Sequence, residues 1–210
     1  IYTLSLHDAL PIYRHQSPEG GRSFRDDHEA YWMPADGSGK AERLTFAELN
    51  HGPQRWTPDG KTLSFYEIHP ETGRDIWMLP FEGDRKPWLF LKTPALEGGI
   101  AFSADGHWLA HTSDESGQRE IVVRAFPEAE PAHQVSQGGG IEVVWPPHSK
   151  DLFYRLGNKR MAVQISTTPT LTVGLPRLLF EGAFVPSSGS RANWDATHDG
   201  RRFLMLKKVE

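Results

Sequence analysis

The sequence predicts an all-β protein built from repeats of a four-stranded antiparallel unit. Three observations support this prediction. Helical 3.6-residue periodicity is absent, Gly and Pro interrupt the chain roughly every 8 to 12 residues, and a strand-forming pattern recurs after about 45 residues. Four strands in about 45 residues is the length of one β-propeller blade. The middle strands, such as LSFY, IWML and IVV, are apolar on both faces, which is typical of sheets packed between neighbouring sheets.

The first repeated element is a corner followed by a strand. It reads WTPDGKTLSFY from residue 56, FSADGHWLAHT from 102, WPPHSKDLFYR from 145 and ATHDGRRFLML from 196. The corner residues are Asp59, Asp105, His148 and Asp199, with spacings of 46, 43 and 51 residues. Glycine tolerates positive φ and Asp binds nearby backbone amides, so Asp-Gly favours a tight turn. A catalytic acid or metal ligand is needed once, and we therefore interpret the three aspartates as turn residues.

The second and third elements repeat in phase with the corner. The second is EAYWMPADG from Glu29, DIWMLPFEG from Asp75, EIVVRAFPE from Glu120 and the weaker RMAVQIS from Arg160. The third is a short apolar stretch, seen as ERLTF, PWLFL, HQVSQ and PRLLF. One period therefore contains a lead-in strand, a corner, a strand, a polar loop, a second strand, a turn and a third strand.

The motifs PDGK, DIWMLP and DESGQRE, and the run from GGGIEVVW to DGRRFLML, resemble the C-terminal blades of bacterial TolB-like, WD-type-repeat propellers. The resemblance covers roughly residues 26–208. It implies an arc of about four blades, an incomplete part of a ring of roughly six. In that family the same modules commonly follow a serine/threonine kinase domain or a winged-helix DNA-binding domain. His148-Ser149, where Asp-Gly is expected, and Val122, where an aromatic residue is usual, depart from the pattern.

We predict an artefactual or disordered segment at 1–12 and a partial propeller at 13–210. Residues 3–12, TLSLHDALPI, resemble one translated reading frame of a common DNA-sequencing adapter, which indicates a metagenomic library fragment. The natural chain is then expected to begin further upstream. The predicted blades span approximately 13–50, 51–97, 98–139 and 140–185, with a closing half-blade at 190–210.

Composition excludes several classes of function. The absence of cysteine rules out disulfides, thiolate nucleophiles and cysteine-based zinc sites. A net charge of −4 with scattered Lys and Arg argues against nucleic-acid binding. No apolar window is long enough for a membrane-spanning helix, and neither a Gly-x-Ser-x-Gly elbow nor a glycine-rich phosphate loop is present. His107 and His111 would lie about 13 Å apart on a strand, too far to share a metal. We therefore predict no catalytic, cofactor-binding or metal-binding residue.

A binding face is expected at the end of the sheets opposite the corners. The loops between the second and third strands of three repeats are HPETGR (69–74), DESGQR (114–119) and LGNK (156–159). Their charges are mixed, which favours contact with a partner over purely structural turns. The candidate partner-contact residues are His69, Glu71, Arg74, Glu115 and Arg119.

The leading hypothesis is a non-catalytic interaction or sensor module of a larger bacterial protein, binding a protein, peptide or small ligand through these loops. One alternative is the sensory domain of a receptor-type serine/threonine kinase whose catalytic domain lies outside this chain. A second alternative is a propeller hydrolase or lyase with an axial His/Asp site, which requires His and carboxylate groups from several blades to meet within about 4 Å. The resemblance implies a periplasmic or otherwise extracytoplasmic location.

Overall fold

The computed structural model describes residues 12–15, 29–33, 39–44, 50–187 and 191–208, and all the regular elements in those ranges are β-strands. The chain divides into two compact units, Ile1–Pro94 and Ala95–Glu210. Most strands belong to separate antiparallel sheets, and within these sheets each strand lies beside the next strand along the chain. The all-β prediction is therefore confirmed.

The first unit contains a three-stranded and a four-stranded antiparallel sheet. In both sheets each strand pairs with the next one along the chain. The three strands of the first sheet are β1 (Ile12–His15), β2 (Glu29–Trp32) and β3 (Glu42–Arg43); those of the second are β4 (Asn50–Trp56), β5 (Thr62–His69), β6 (Gly73–Pro80) and β7 (Trp88–Leu91).

The central strands of the four-stranded sheet bury both of their faces. Consecutive residues point to opposite faces of a strand, yet Leu63, Ser64 and Phe65 of β5 are all buried. On β6, the consecutive residues Met78 and Leu79 are buried as well. This explains why these segments read as continuous apolar runs and not as an alternating pattern. Large aromatic side chains fill the space beside this core, namely Trp32, Trp56, Trp77 and Phe81.

The second unit contains two larger sheets and a short hairpin. Its strands are β8 (Gly98–Phe102), β9 (Trp108–Ser113), β10 (Glu120–Ala125) and β11 (Ala132–Gln134); β12 (Ile141–Val144), β13 (Asp151–Leu156), β14 (Lys159–Ser166), β15 (Thr172–Val173) and β16 (Arg177–Glu181); and β17 (Asp195–Ala196) with β18 (Phe203–Leu204). Strands β15 and β16 pair with different parts of β14, so they share the fourth-strand position.

The two large sheets of the second unit share one hydrophobic core. Buried side chains of β9 and β10, such as Ala110 and Val123, belong to the same cluster as Leu152 and Tyr154 of β13. A second cluster joins Phe153 to Trp194, with Phe203 of the hairpin packed against it. Burial raises the pKa of Tyr154 to about 12, and the charge of Glu120 adds to the effect.

The predicted blade boundaries and the adapter origin of residues 3–12 remain predictions. Strand β1 begins at Ile12 and pairs with β2, whereas residues 1–11 lie outside the described residues. Among the described residues, no helix is long and apolar enough to cross a membrane.

Candidate functional site

The corner aspartates form the same turn three times. In the first corner, Thr57 Oγ1 donates to Asp59 Oδ1 at 2.5 Å, and the Lys61 N–H donates to the same oxygen at 3.0 Å. Asp105 accepts the two equivalent bonds at 2.6 and 3.1 Å. Asp199 accepts them at 2.5 and 3.1 Å. The following glycines have φ of 71, 72 and 69°. Each carboxylate therefore stabilises its own turn, as the repeat predicted.

These hydrogen bonds also set the acidity of the corners. Partial burial raises the pKa of Asp59, but the bonds from Thr57 and Lys61 outweigh it, and the net pKa lies below the usual value. Asp105 has the same balance of burial and hydrogen bonding. For Asp199, the bond from Thr197 lowers the pKa of an exposed carboxyl. A low pKa in three equivalent turns reflects turn geometry and does not indicate a catalytic acid.

The corner that lacks Asp-Gly uses another set of bonds. Ser149 N–H donates to the Pro146 carbonyl at 3.2 Å, which corresponds to the Gly60-to-Thr57 bond of the first corner. The Asp151 N–H then donates to Ser149 Oγ at 3.0 Å. Ser149 does not have a positive φ. The turn is thus retained with a side-chain hydroxyl in place of the carboxylate.

In the first unit, the predicted partner loop 69–74 connects β5 to β6. Its residues lie at the end of β5 opposite the Asp59 corner, about 23 Å away along the strand. His69 accepts a bond from the Glu71 N–H at 3.2 Å, and the Arg74 guanidinium lies 4.8 Å from the Tyr66 ring centre. The Glu71 carboxylate is exposed and forms no bond with any described residue.

In the second unit, loop 114–119 connects β9 to β10. Glu115 lies 3.6 Å from Arg124, and the Arg119 carbonyl accepts a bond from the Gly140 N–H at 2.7 Å. The Arg119 guanidinium is exposed and forms no hydrogen bond or ion pair with a described residue. A Cβ at Gly139 would lie 3.1 Å from Leu156 and 3.9 Å from the Arg119 carbonyl. Loops 114–119 and 156–159 therefore flank the same glycine, at one end of the unit.

A buried histidine–glutamate pair occurs in the first unit and was not predicted. His51 on β4 and Glu67 on β5 are directly opposite each other in the sheet, and His51 Nε2 lies 3.0 Å from Glu67 Oε2. The His51 side chain is 3% exposed. An ionised carboxylate only accepts hydrogen bonds, so the Nε2 atom donates in this pair.

A second buried histidine lies in the second unit, on β9. Arg124 Nε donates to His111 Nε2 at 3.1 Å, so the His111 proton resides on Nδ1. That Nδ1 atom lies 2.8 Å from Glu97 Oε2, in a geometry bent away from the hydrogen-bond direction. Arg124 also binds Glu130 at 2.8 Å. The chain of contacts joins β9 to β10, and His111 is fully buried.

A third buried polar cluster surrounds Glu142, next to the β17–β18 hairpin. Glu142 Oε1 accepts from Arg155 at 2.8 Å and from the Ser187 N–H at 3.0 Å, and Oε2 accepts from Trp194 Nε1 at 2.9 Å. Arg160 lies nearby, with its guanidinium over the Trp194 ring at 5.1 Å. Burial lowers the pKa of Arg160, Glu142 opposes that shift, and Arg155 adds to it.

None of these clusters has the composition of a metal centre. Within the described ranges, no three His, Cys, Asp or Glu side chains are placed to hold one ion. Each histidine–carboxylate contact described above joins neighbouring segments of a single sheet. The axial-enzyme alternative requires such groups from several blades to meet, and these contacts do not supply that arrangement.

The first unit also has a cleft of about 510 Å³ across one face of its four-stranded sheet. Paired residues on neighbouring strands, and residues two apart on one strand, share a face. This rule places His51, Phe65 and Glu67 on the same face as Trp77 and Leu79. Residues 84–87, before β7, and residues 42–44, around β3, complete the lining.

The fold on which these sites lie resembles that of solved TolB structures. A protein from Agrobacterium tumefaciens, assigned as TolB, superimposes with a TM-score of 0.61 at 16% identity, over 81% of this chain and 61% of that one. TolB from Acinetobacter baumannii gives 0.59 at 15% identity, over 86% and 43% of the two chains. A puromycin-hydrolyzing peptidase from Mycobacterium tuberculosis gives 0.59 at 14% identity, over 86% and 30%. No family model and no curated protein matches the sequence.

These similarities show that the chain has a TolB-like β-propeller fold, as the repeat and the resemblance predicted. The chain spans 61% and 43% of the length of the two TolB structures. The same architecture occurs in a peptidase, so the fold by itself does not separate a binding module from the propeller of an enzyme.

Sequence reasoning missed the buried polar clusters for an identifiable reason. His111 stands six residues after its corner, and it is polar, whereas the other three repeats have Phe65, Tyr154 and Met205 at that position. That exception was a usable signal, because a polar side chain in a buried strand needs partners. Glu142 gave no such signal, since it has a φ of 58° at an irregular position of β12 that sequence spacing does not reveal.

Proposed function

We propose that this chain is a non-catalytic β-propeller module that binds a protein, peptide or small ligand through the loops between the second and third strands of its sheets. The observation that supports the proposal most strongly is a contrast between the two ends of the sheets. The corner carboxylates are all bonded within their own turns. In the loops, Glu71 and Arg119 hold exposed charged groups that no described residue binds.

The five candidate residues are expected to contribute unequally. His69, Arg74 and Glu115 already contact Glu71, Tyr66 and Arg124 within the chain. Their substitution is therefore expected to alter loop conformation as well as binding. Glu71 and Arg119 are expected to contact the partner directly, because ionic groups at an exposed rim steer association and set partner choice.

The test is a selection of binding peptides from a random display library, with the wild-type chain as bait. Selected peptides are then titrated against a loop variant, Glu71→Ala with Arg119→Ala, and against a corner variant, Lys61→Ala with His107→Ala. We expect at least a ten-fold loss of affinity in the loop variant and less than two-fold in the corner variant. Equal affinity for both variants would refute loop binding.

The proposal extends to a sensor role within a larger bacterial protein, located outside the cytoplasmic membrane, as the family resemblance implies. The genomic sequence upstream of this chain tests that extension. A kinase domain followed by a membrane-spanning segment would support a kinase sensor. A cytoplasmic winged-helix protein without an export signal would contradict the proposed location.

A further inference from the structure

The β17–β18 hairpin is a two-stranded sheet whose second strand has an open edge. In the other sheets, the strand that follows the corner is paired on both sides: β5 lies between β4 and β6, β9 between β8 and β10, and β13 between β12 and β14. Strand β18 follows the Asp199 corner in the same way, but among the described strands only β17 pairs with it. An unpaired strand edge is a template for pairing with another chain.

The backbone groups at this open edge follow from the hydrogen bonds on the paired side. The Arg202 carbonyl accepts from the Thr197 N–H at 2.9 Å, next to β17. The backbone groups of successive residues point to opposite sides of a strand. The N–H and C=O groups of Phe203 and Met205 therefore point away from β17, towards the open edge.

The same segment has an exposed apolar face. Leu204 and Leu206 are 73% and 52% exposed, whereas Phe203 and Met205 pack against the core on the opposite face. In the other three sheets, the residue five positions after the corner, which corresponds to Leu204, is buried; these residues are Ser64, Ala110 and Phe153. This position is thus covered in every sheet that has a third strand.

Basic side chains flank the apolar segment on both sides. Arg201 and Arg202 precede it, Lys207 and Lys208 follow it, and all four are exposed. Arg201 lies 4.0 Å from Asp199, and the other three form no ion pair with a described residue. Antiparallel pairing of two β18 strands would bring the arginines of one copy against the lysines of the other, which is destabilising. The charges therefore disfavour a second copy of this chain and favour a partner strand with acidic ends.

The registers of the other sheets show which residues fit beside such a strand. At the positions opposite the counterparts of Leu204 and Met205, all three sheets have apolar residues, namely Trp77, Met78, Val122, Val123, Met161 and Ala162. Opposite the counterpart of Lys207, two of the three sheets have an acidic residue, Asp75 or Glu120. The repeat itself thus defines a partner strand with an apolar centre and an acidic residue before it.

We propose that the open edge of β18 binds an extended segment of another protein, in which about four apolar residues lie between acidic ones. Addition of a strand to an exposed sheet edge is a general mode of peptide recognition. The segment pairs antiparallel with residues 203–206, exchanges backbone hydrogen bonds with Phe203 and Met205, and covers Leu204. Its acidic residues lie against the four basic side chains. This surface is separate from the loops proposed above, so the inference goes beyond that function and names the chemistry of a second partner.

The test is the binding of the synthetic peptide EDIVVLEE to the full chain, measured by isothermal titration. In the proposed register, the fourth residue of the peptide lies opposite Met205. N-methylation of that residue removes an N–H that donates to β18 and places a methyl group between the strands, so we expect at least a ten-fold loss of affinity. The N–H of the fifth residue points away from β18, and its methylation should change the affinity less than two-fold. Equal effects of the two methyl groups, or no binding of EDIVVLEE, would overturn the proposal.

The acidic ends are tested with the peptide KRIVVLKR, which has the same apolar centre and should bind at least ten-fold more weakly. In the variant Arg202→Glu with Lys207→Glu, this preference should be reversed. The matched control, Lys86→Glu with Lys150→Glu, changes two exposed lysines elsewhere and should retain the preference. An unchanged preference in the first variant would contradict the proposal. If that variant does not fold, the two methylated peptides still decide the question on the native chain.

Sedimentation velocity of the native chain tests the other occupant. A dimer that EDIVVLEE dissociates would show that a second copy occupies the edge and would overturn the proposal, whereas a monomer that binds EDIVVLEE supports it. The loop variant with Glu71→Ala and Arg119→Ala should bind EDIVVLEE as tightly as wild type does. Failure of the loop proposal and failure of the β18 proposal are thereby distinguishable.

Discussion

Replacing Glu142 by Gln should be among the most destabilising isosteric changes in the second unit. Glu142 is fully buried and is the carboxylate beside two largely buried guanidinium groups, those of Arg155 and Arg160. The change removes the negative charge while preserving the side-chain volume. Removing one partner of a buried ion pair costs about 3–5 kcal/mol, because the remaining charge stays uncompensated in a poorly polarisable environment.

The three contacts of Glu142 allow that magnitude to be checked. Hydrogen bonds to charged groups contribute about 1.5–3 kcal/mol each, and Gln can keep one acceptor for Trp194 while it loses the ionic bond to Arg155. For a chain of this size, 1 kcal/mol corresponds to about 2–4 °C in Tm. The expected fall in Tm is therefore about 6–20 °C.

The assay is urea denaturation followed by circular dichroism, with Glu128→Gln as an exposed control in the same unit. A second variant, Arg155→Met combined with Glu142→Gln, should be less destabilised than the sum of its two single changes, because the pair is then removed together. A loss below about 1 kcal/mol for Glu142→Gln, or a loss equal to that of Glu128→Gln, would refute the reasoning on buried charge.

Three further predictions concern the turns, the core and the close packing of glycine. Asp59→Ala and Asp105→Ala should each lower the free energy of unfolding by about 1 kcal/mol. Because the pKa values of both carboxyls are lowered in the folded state, their contribution to stability is present at neutral pH and disappears as pH falls through the carboxyl range. Acid unfolding curves of the two variants and of wild type measure this contribution. Curves identical to that of wild type would contradict it. Because the pKa of Tyr154 is raised in the folded state, its contribution to the free energy of unfolding is complete below pH 10 and is lost as pH rises towards 12. Over that interval the free energy of unfolding should fall by about 2–3 kcal/mol more in wild type than in Tyr154→Phe. Parallel pH profiles of the two proteins would argue against burial as the cause. Gly140→Ala should lower the free energy of unfolding by about 1–3 kcal/mol, because a Cβ would lie 2.6 Å from Ser136 Oγ, which is held by Glu120 and the Ile121 N–H. Unfolding of Gly140→Ala with and without Ser136→Gly measures this effect. If Gly140→Ala lowered the free energy of unfolding equally in both backgrounds, the clash would be excluded.

Much of the fold was predictable because local chemistry repeats along the chain. The Asp-Gly corners at Asp59, Asp105 and Asp199 predicted a turn that the structure contains three times with nearly the same bond lengths. The apolar runs around Phe65 and Ile121 predicted strands buried on both faces, and both residues are buried. Periodicity and turn preference act over a few residues, so a single sequence suffices to recognise them.

The polar interior was not predictable in the same way, because it depends on pairing between strands. His51 and Glu67 are 16 residues apart and meet because the register of β4 and β5 places them opposite each other. Glu142 and Trp194 are 52 residues apart and meet through packing of the β17–β18 hairpin region. The spacing of residues along the chain indicates neither contact. The cleft beside Trp77 likewise depends on pairing between strands that are distant in sequence.

The predicted partner residues remain a proposal, but the structure distinguishes those that already have contacts within the chain from those that do not. His69, Arg74 and Glu115 have contacts within the chain, whereas the charged groups of Glu71 and Arg119 have no described partner. Mixed charge in the sequence could not separate these two groups, because the difference lies in what each side chain touches.

Hydrogen–deuterium exchange of the chain with and without a selected library peptide tests the central claim most directly. If the loop end of the sheets is the binding surface, the peptide will slow exchange at the amides of 69–74, 114–119 or 156–159 and leave the corners at 57–62 and 103–108 unchanged. Protection confined to the corners, with exchange in all three loops unaltered, would contradict the account.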